Sequence, residues 1–250
     1  ISEAQEFIKS YNDIQEIYGQ TNLLYQFISN TYQNEIRFDF EKICILAIDI
    51  ETAFDSSGFP TPEKANQEIL SISCKVLGDE NYYIVFGTKE CQNKESFTFI
   101  QCEDEKKMLI SFQKYWREIN PDIITGWNID AFDIPYIINR CNKIMDLNFT
   151  KKFSPFHNSL DRCIIEKKYT NKQGNEINTF SIIGITSIDY LELYKKYSSS
   201  KLESYRLDVV GQHELNLGKV DYSEFGDLMS LYKKNYDLFI EYNMNDVKIV

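Results

Sequence analysis

Ile43-Cys44-Ile45-Leu46-Ala47-Ile48-Asp49-Ile50, with Glu51 directly after it, decides how the chain is read. The run is short, nearly all apolar and rich in Ile, the pattern of a β-strand buried on both faces. Two carboxylates do not belong on such a strand. Side chains alternate along a strand, so Asp49 and Glu51 point to the same face. Side by side they repel and raise each other's pKa, and a hard divalent cation between them removes the conflict. The competing reading ends the strand at Ile48 and leaves both acids in water.

Outward from this strand, strands come first and helices follow, which suggests an α/β fold with a mixed central sheet. Ile69–Leu77 and Tyr82–Phe86 read as strands joined by Gly78-Asp79-Glu80-Asn81, a hairpin signal. Glu103–Glu118 is an amphipathic helix with Met108, Leu109, Phe112 and Trp116 on one stripe. A short strand is expected over Ile123–Thr125, and then a helix over Asp133–Cys141 with Pro135 in its first turn, where proline is tolerated. Cys163–Ile183 reads as a second hairpin with its tip at 171–175. The rest is mainly helical: Tyr190–Tyr197, Leu207–Leu215, Asp227–Tyr232 and Asp237–Val250. Upstream, Ile8, Tyr11, Ile14 and Tyr18 fall at helical spacing, whereas the Tyr- and Asn-rich stretch Asn22–Phe38 breaks it and reads as extended. Residues 1–40 are too few for a core of their own. They read as the edge of a neighbouring domain, with residues 41–250 as the main one.

The 250 residues carry 27 Lys and Arg against 38 Asp and Glu, a net charge of −11. This argues against a broad, non-specific grip on nucleic-acid phosphate, but not against a small metal-neutralised site. With 43% hydrophobic and 26% charged residues, a disordered chain is excluded. The six cysteines are irregularly spaced with no C-x-x-C pair, and only two histidines are present, so reduced thiols are expected rather than disulfides or structural zinc. No apolar run reaches about 18 residues and no basic-then-apolar leader follows Ile1, so neither a membrane span nor a signal peptide is expected, and the location is read as cytoplasmic. The start at Ile1 rather than Met suggests a piece of something longer.

Two further clusters carry chemistry. Asn128-Ile129-Asp130-Ala131-Phe132-Asp133 either bears a functional acid or is a loop whose Asp133 caps the next helix. Tyr242-Asn243-Met244-Asn245-Asp246 places Tyr242 and Asp246 four apart, on one helical face. Alone, such a pair is ordinarily surface or core edge.

Taken in order, Asp-x-Glu, Asn-x-x-x-Phe-Asp and Tyr-x-x-x-Asp resemble the three exonuclease motifs of the family-B DNA polymerases. The flanks extend the resemblance, which is strongest to the polymerases of T-even-type bacteriophages. Those flanks are Gly58-Phe59-Pro60-Thr61-Pro62-Glu63-Lys64-Ala65, Ile124-Thr125-Gly126-Trp127-Asn128, Lys152-Phe153-Ser154-Pro155, Asp189 to Lys196, and Leu202 to Leu207 with Lys219 beyond. The resemblance covers nearly the whole chain.

It implies a ribonuclease-H-like 3′-5′ exonuclease domain over 41–250 that removes mismatched nucleotides, with 1–40 the remnant of a polymerase N-terminal domain. It implies that Asp49, Glu51, Asp133 and Asp246 hold two Mg2+ or Mn2+ ions, a choice that suits an all-oxygen ligand set. Tyr242 would orient the attacking water or the scissile phosphate, because an unperturbed tyrosine is a poor base at neutral pH. Phe59, Asn128, Phe132, Lys172 and Lys219 are the expected DNA contacts. The substrate would be a single-stranded or frayed DNA 3′ end. The remaining polymerase domains would lie in cis or on a separate subunit, since no palm segment follows the third motif. If phage-encoded, the chain would work in the bacterial host cytoplasm. Asp189 reads as a helix cap rather than a fifth ligand, and Asp208 as surface. Two other readings stand: a non-catalytic docking half of a split polymerase, and an RNA exonuclease of the RNase D type.

Overall fold

The computed structural model describes residues 2–11, 23–34, 37–54, 58, 60–78, 83–91, 97–146, 148–170, 174, 176–199 and 201–250. The chain divides into two compact units, Ile1–Phe40 and Glu41–Val250. In the first unit α1 is Ser2–Tyr11 and α2 is Leu23–Thr31. The stretch read as extended is therefore helical in its centre. Leu24, Phe27 and Ile28 stand at i, i+3 and i+4, a helical period that the surrounding Tyr and Asn residues obscure. Phe7, Tyr11, Leu24, Tyr25 and Phe27 remain exposed, in keeping with a segment too short to form a core.

The second unit is built on a six-stranded sheet ordered β4-β3-β2-β1-β5-β8. Its strands are β1 (Ile45–Thr52), β2 (Ile69–Val76), β3 (Tyr83–Gly87), β4 (Phe97–Gln101), β5 (Ile123–Gly126) and β8 (Thr186–Asp189). β6 (Ile164–Thr170) and β7 (Glu176–Ile182) form a separate antiparallel pair, where the second hairpin was expected. β1 runs antiparallel to β2 and parallel to β5. The helices are α3 (Glu105–Ile119), α4 (Asp133–Ile144), α5 (Tyr190–Tyr197), α6 (Leu207–Leu215), α7 (Leu228–Lys234) and α8 (Tyr236–Ile249). The sequence reading passed over β4, a short edge strand. β8 is the other edge strand, and its four residues, mostly polar, pair with β5.

β1 separates two cores. Leu46, Ile48 and Ile50 pack with Ile72, Met108, Phe112, Ile134 and Ile137 on the side of α3 and α4. Ala47 packs on the other side with Val85, Phe99, Phe239, Ile240 and Val247, beneath α8. Asp49 and Glu51 alternate with the first set and so face α8. The strand does not stop at Ile48. It runs to Thr52, and both acids lie within it, partly buried.

The loop after β1 is pinned to α4 by its carbonyl oxygens. Asn139 donates to Pro62 O, Arg140 to Ala65 O and Asn66 O, and the Tyr136 hydroxyl to Gln67 O. Arg140 also forms a bidentate pair with Glu105 at 2.8 and 2.6 Å, nearly out of water. Glu105 Oε1 in turn accepts the N–H of Ile69, the first residue of β2. Breaking such a pair leaves an uncompensated buried charge. Arg140→Ala is expected to cost about 3–5 kcal/mol in chemical denaturation, and the joint change Arg140→Met with Glu105→Leu markedly less. Equal losses would mean that the missing bonds to Ala65 O, Asn66 O and the Ile69 N–H, and not an uncompensated charge, set the cost.

Candidate active site

Side-chain oxygens of Asp49, Glu51 and Asp246 lie within 4.8 Å of one another. Two come from one face of β1. The third comes from α8, which crosses β1 and β2 above a strip of small or polar residues: Ala47 and Asp49 on β1, Ser71 and Ser73 on β2. Tyr242 lies one helical turn before Asp246, and both are buried.

Asp133 is close by but outside this trio. The bland reading made it the cap of α4, and the structure corrects this. Phe132 occupies the cap position without a side-chain cap bond, and Asp133 is the first helical residue, buried. Its Oδ1 accepts the Ile50 N–H at 3.1 Å. That N–H is available because β5 pairs with β1 only as far as Ala47. Gly126 ends β5 where a Cβ would come 2.6 Å from Ile48 O, so only glycine fits that approach.

Lys219 donates to the Tyr242 hydroxyl at 2.9 Å and to Asp246 Oδ2. It therefore sits within the acid cluster, not at its rim. The Tyr222 and Tyr242 rings meet in a T-shaped arrangement, with centroids 5.2 Å apart. Asp246 Oδ1 is buried and has no hydrogen-bond partner among the described residues. A buried, unpaired carboxylate oxygen beside two more carboxylates is what a hard cation would satisfy, so the donor set fits Mg2+ or Mn2+.

Asn128 adopts a left-handed φ of 63°, which asparagine tolerates better than most residues. Its N–H and that of Asp130 donate to the two Asp189 oxygens, at 3.2 Å each. Asp189 also accepts from Leu191 and Glu192 as the cap of α5, the role expected of it, and so acts as a structural hub. Trp127 lies near the rings of Tyr190 and Tyr194 and donates to Tyr205 O, which joins the flanking segments around the site.

Two recesses flank the acids. One, of about 440 Å³, is lined by Glu51, Phe54, Pro60, Phe132, Tyr222, Leu228 and Tyr242 among others. The other, of about 400 Å³, is lined by Asp49, Asn128, Arg206, Asp208, Lys219 and Asp246 among others. Asp208, read as surface, thus belongs to the cleft wall. Phe59 and Lys172 lie outside the described residues. Asn243, Tyr222 and Arg206 were not singled out in the sequence. Asn243 alone had a local signal, since it lies three before Asp246 on a helix.

Burial raises all four acids. Asp49 is held well above the usual carboxylate range, with repulsion from Asp133, Asp246 and Glu51 adding to burial. Burial and then Asp246 push Glu51 up to about 8. Burial pushes Asp133 up to about 7 against the opposing Ile50 N–H. Asp246 is raised by burial although Lys219 pulls it down. Burial, then Glu51 and Asp246, raise Tyr242, so its phenol keeps its proton at neutral pH. Burial works against the Lys219 ammonium, but Asp246 and Tyr242 outweigh it and hold its pKa high.

Residues 14–210 match the sequence family described as DNA polymerase family B, exonuclease domain. The third motif lies beyond that match but within the similarity to whole relatives. The chain is 31% identical over 276 residues to the DNA-directed DNA polymerase of Enterobacteria phage T4, covering 100% of this chain and 30% of that protein. It is 30% identical over 271 residues to the corresponding enzyme of Escherichia phage RB69, covering 98% and 29%. It is 32% identical over 211 residues to the DNA polymerase delta catalytic subunit of Plasmodium falciparum, covering 80% and 19%. The chain thus spans under a third of the length of these relatives.

Folded Glu51 and Asp133 bind protons more tightly than unfolded carboxylates, whose pKa values are about 4. Their contribution to stability is therefore present below about pH 4 and is lost as pH rises through about 7 to 8. The metal-free melting temperature of the wild type, relative to Glu51→Gln, should fall between about pH 5 and pH 8.5. Added Mn2+ should raise it more at the upper pH. A rising difference, or no response to Mn2+, would contradict this account of the cluster.

Proposed function

Because the chain belongs to the exonuclease-domain family of the family-B DNA polymerases, we propose that it removes nucleotides one at a time from DNA 3′ ends, releasing nucleoside 5′-monophosphates. Its mixed sheet flanked by helices is that of a ribonuclease-H-like exonuclease fold. The observation that carries the proposal is the close approach of the Asp49, Glu51 and Asp246 oxygens between two recesses, beside the Tyr242–Lys219 pair. Asp49, Glu51 and Asp246 would hold one divalent ion, and Asp49 with Asp133 a second. When bound, Mg2+ or Mn2+ polarises a phosphoryl group and makes hydroxide available near neutral pH.

The chain's own groups would do the rest. Tyr242 keeps its proton, accepts from Lys219 and so has its hydroxyl hydrogen free to donate to a phosphate oxygen or to orient water. Lys219 holds Tyr242 and Asp246 in place and sets one positive charge beside the phosphodiester. The apolar recess walled by Phe132, Tyr222 and Leu228 suits a terminal nucleoside. Asn128 and Arg206 line the path on the other side. Phe59 and Lys172 stay candidates for contacts to the terminal bases and the frayed primer. Other polymerase domains, in the same polypeptide or on a separate subunit, would deliver the 3′ end, with residues 1–40 as the edge of one of them.

The test is trimming of a single-stranded DNA oligomer labelled at its 5′ end, with Mg2+, with Mn2+ and with EDTA, beside an RNA oligomer. A ladder shortened from the 3′ end is expected, lost in EDTA and slowed at least about 10²-fold (~2.7 kcal/mol) by Asp133→Ala. Tyr242→Phe should slow trimming by about 10–100-fold, the worth of a hydrogen bond to a charged group, without changing Mn2+ affinity. No ladder in either metal would leave the docking reading, and preference for the RNA oligomer would leave the RNA one. An unchanged rate in Asp133→Ala would remove that residue from the site.

A further inference from the structure

Asn243 follows Tyr242 on α8 and is fully buried, as are Ser71 and Ser73 beneath it on β2. The hydroxyls of Ser71 and Ser73 donate to Asn243 Oδ1 at 2.9 and 2.7 Å, and Asn243 Nδ2 donates to Asp49 Oδ2 at 2.6 Å. The register explains this reach. Ser73 stands opposite Asp49 and Ser71 opposite Glu51, so one amide above the ladder touches both cross-strand pairs. This amide orientation suits a cation-bound site: Asp49 is then ionised and only accepts, so the NH2 group faces it, and the carbonyl oxygen has two lone pairs for two hydroxyls.

Resting on the exonuclease reading, the geometry points to Asn243 as a positioning residue that aims the Asp49 carboxylate for cation binding, with Ser71 and Ser73 as its anchors. A neutral amide suits the task. It orients the carboxylate without adding a positive charge that would compete with the cation, whereas Lys219 places such a charge on Asp246. Carboxylates that bind metal are themselves held by hydrogen bonds, and losing such a support costs about 10–100-fold in metal affinity.

The experiment measures Mn2+ binding to the full chain by the electron paramagnetic resonance signal of free Mn2+, alongside trimming across a Mn2+ titration. The main variant combines Ser71→Ala, Ser73→Ala and Asn243→Leu. It replaces the chain of hydrogen bonds by apolar groups of similar size, so neither hydroxyl nor amide is left buried and unpaired. Its Mn2+ affinity should fall about 10–100-fold, and its loss of trimming rate should shrink as Mn2+ is raised. A merely structural role would lower the rate without moving the half-saturating Mn2+ concentration, and that result overturns the proposal. Equal Mn2+ affinity in the wild type and this variant overturns it too, while leaving the exonuclease reading intact. Equal affinity in the wild type and Asp49→Ala removes the cation site, and both readings fall together. If the main variant does not fold by circular dichroism, Ser71→Ala with Ser73→Ala carries the test. The unanchored amide should then weaken Mn2+ binding by at least about threefold, a fraction of the full loss, and unchanged affinity overturns the proposal.

Discussion

Helix α8 brings the buried Asp246 against two partly buried carboxylates on β1. Like charges at such a spacing repel, and a low local dielectric strengthens the repulsion. The packing of α8 on the sheet therefore works against the electrostatics of its own contact. It holds because the same helix buries Phe239, Ile240 and Val247 against Val85, Phe97 and Phe99. Side chains of this kind contribute about 1.5–3 kcal/mol each on full burial. The apolar contacts reach across the sheet from Ala47 on β1 and Leu70 on β2 to β3 and β4, and the acids lie over β1. One helix thus carries both the force that closes the site and the charge that resists closure.

The surrounding groups answer that charge in different ways. Lys219 reaches in from the segment before α7 and binds Asp246 and Tyr242. Asn243 steadies Asp49 with a neutral amide. Asp133 stays apart from the trio and takes a backbone N–H that β5 leaves open. One ammonium against three neighbouring carboxylates leaves an excess of negative charge, which protons or divalent cations can balance. On the proposed function, this would also reconcile a net charge of −11 with a polyanionic substrate, because the acid cluster would hold cations and not face phosphate directly.

On the opposite face the sheet meets α3 and α4 through an ordinary apolar core, and polar groups there have architectural work. The Arg140–Glu105 pair fixes the loop after β1 and the start of β2. Asp189 gathers four backbone N–H groups and so sets the turn that leads from Asn128 to Asp133. An acid that accepts this many backbone donors has little left to offer a cation, which separates Asp189 from the site acids on chemical grounds.

Much was legible in the sequence because it is encoded by near neighbours. The period of two on β1 put Asp49 and Glu51 on one face, and the period near four on α8 did the same for Tyr242 and Asp246. The stripe of Met108, Leu109, Phe112 and Trp116 marked α3, and Asp189 before Tyr190 marked a cap. Local pattern failed where a partner far along the chain decides the outcome. β4 went unread, and it is extended beside β3, with which it pairs. Asp133 looked like a cap, yet it answers an N–H 83 residues away. Nothing near Lys219 says that its ammonium will meet Asp246, and nothing near Asn243 points to Asp49, 194 residues earlier. The sequence by itself determined the fold class, the faces on which the acids stand and the order of the three motifs, since backbone periodicity and side-chain alternation are local. Only the tertiary structure decided which acids approach closely, which hold backbone instead and which neutral groups steady them. Those outcomes depend on where α8 lands on the sheet, and that is set by the whole buried core.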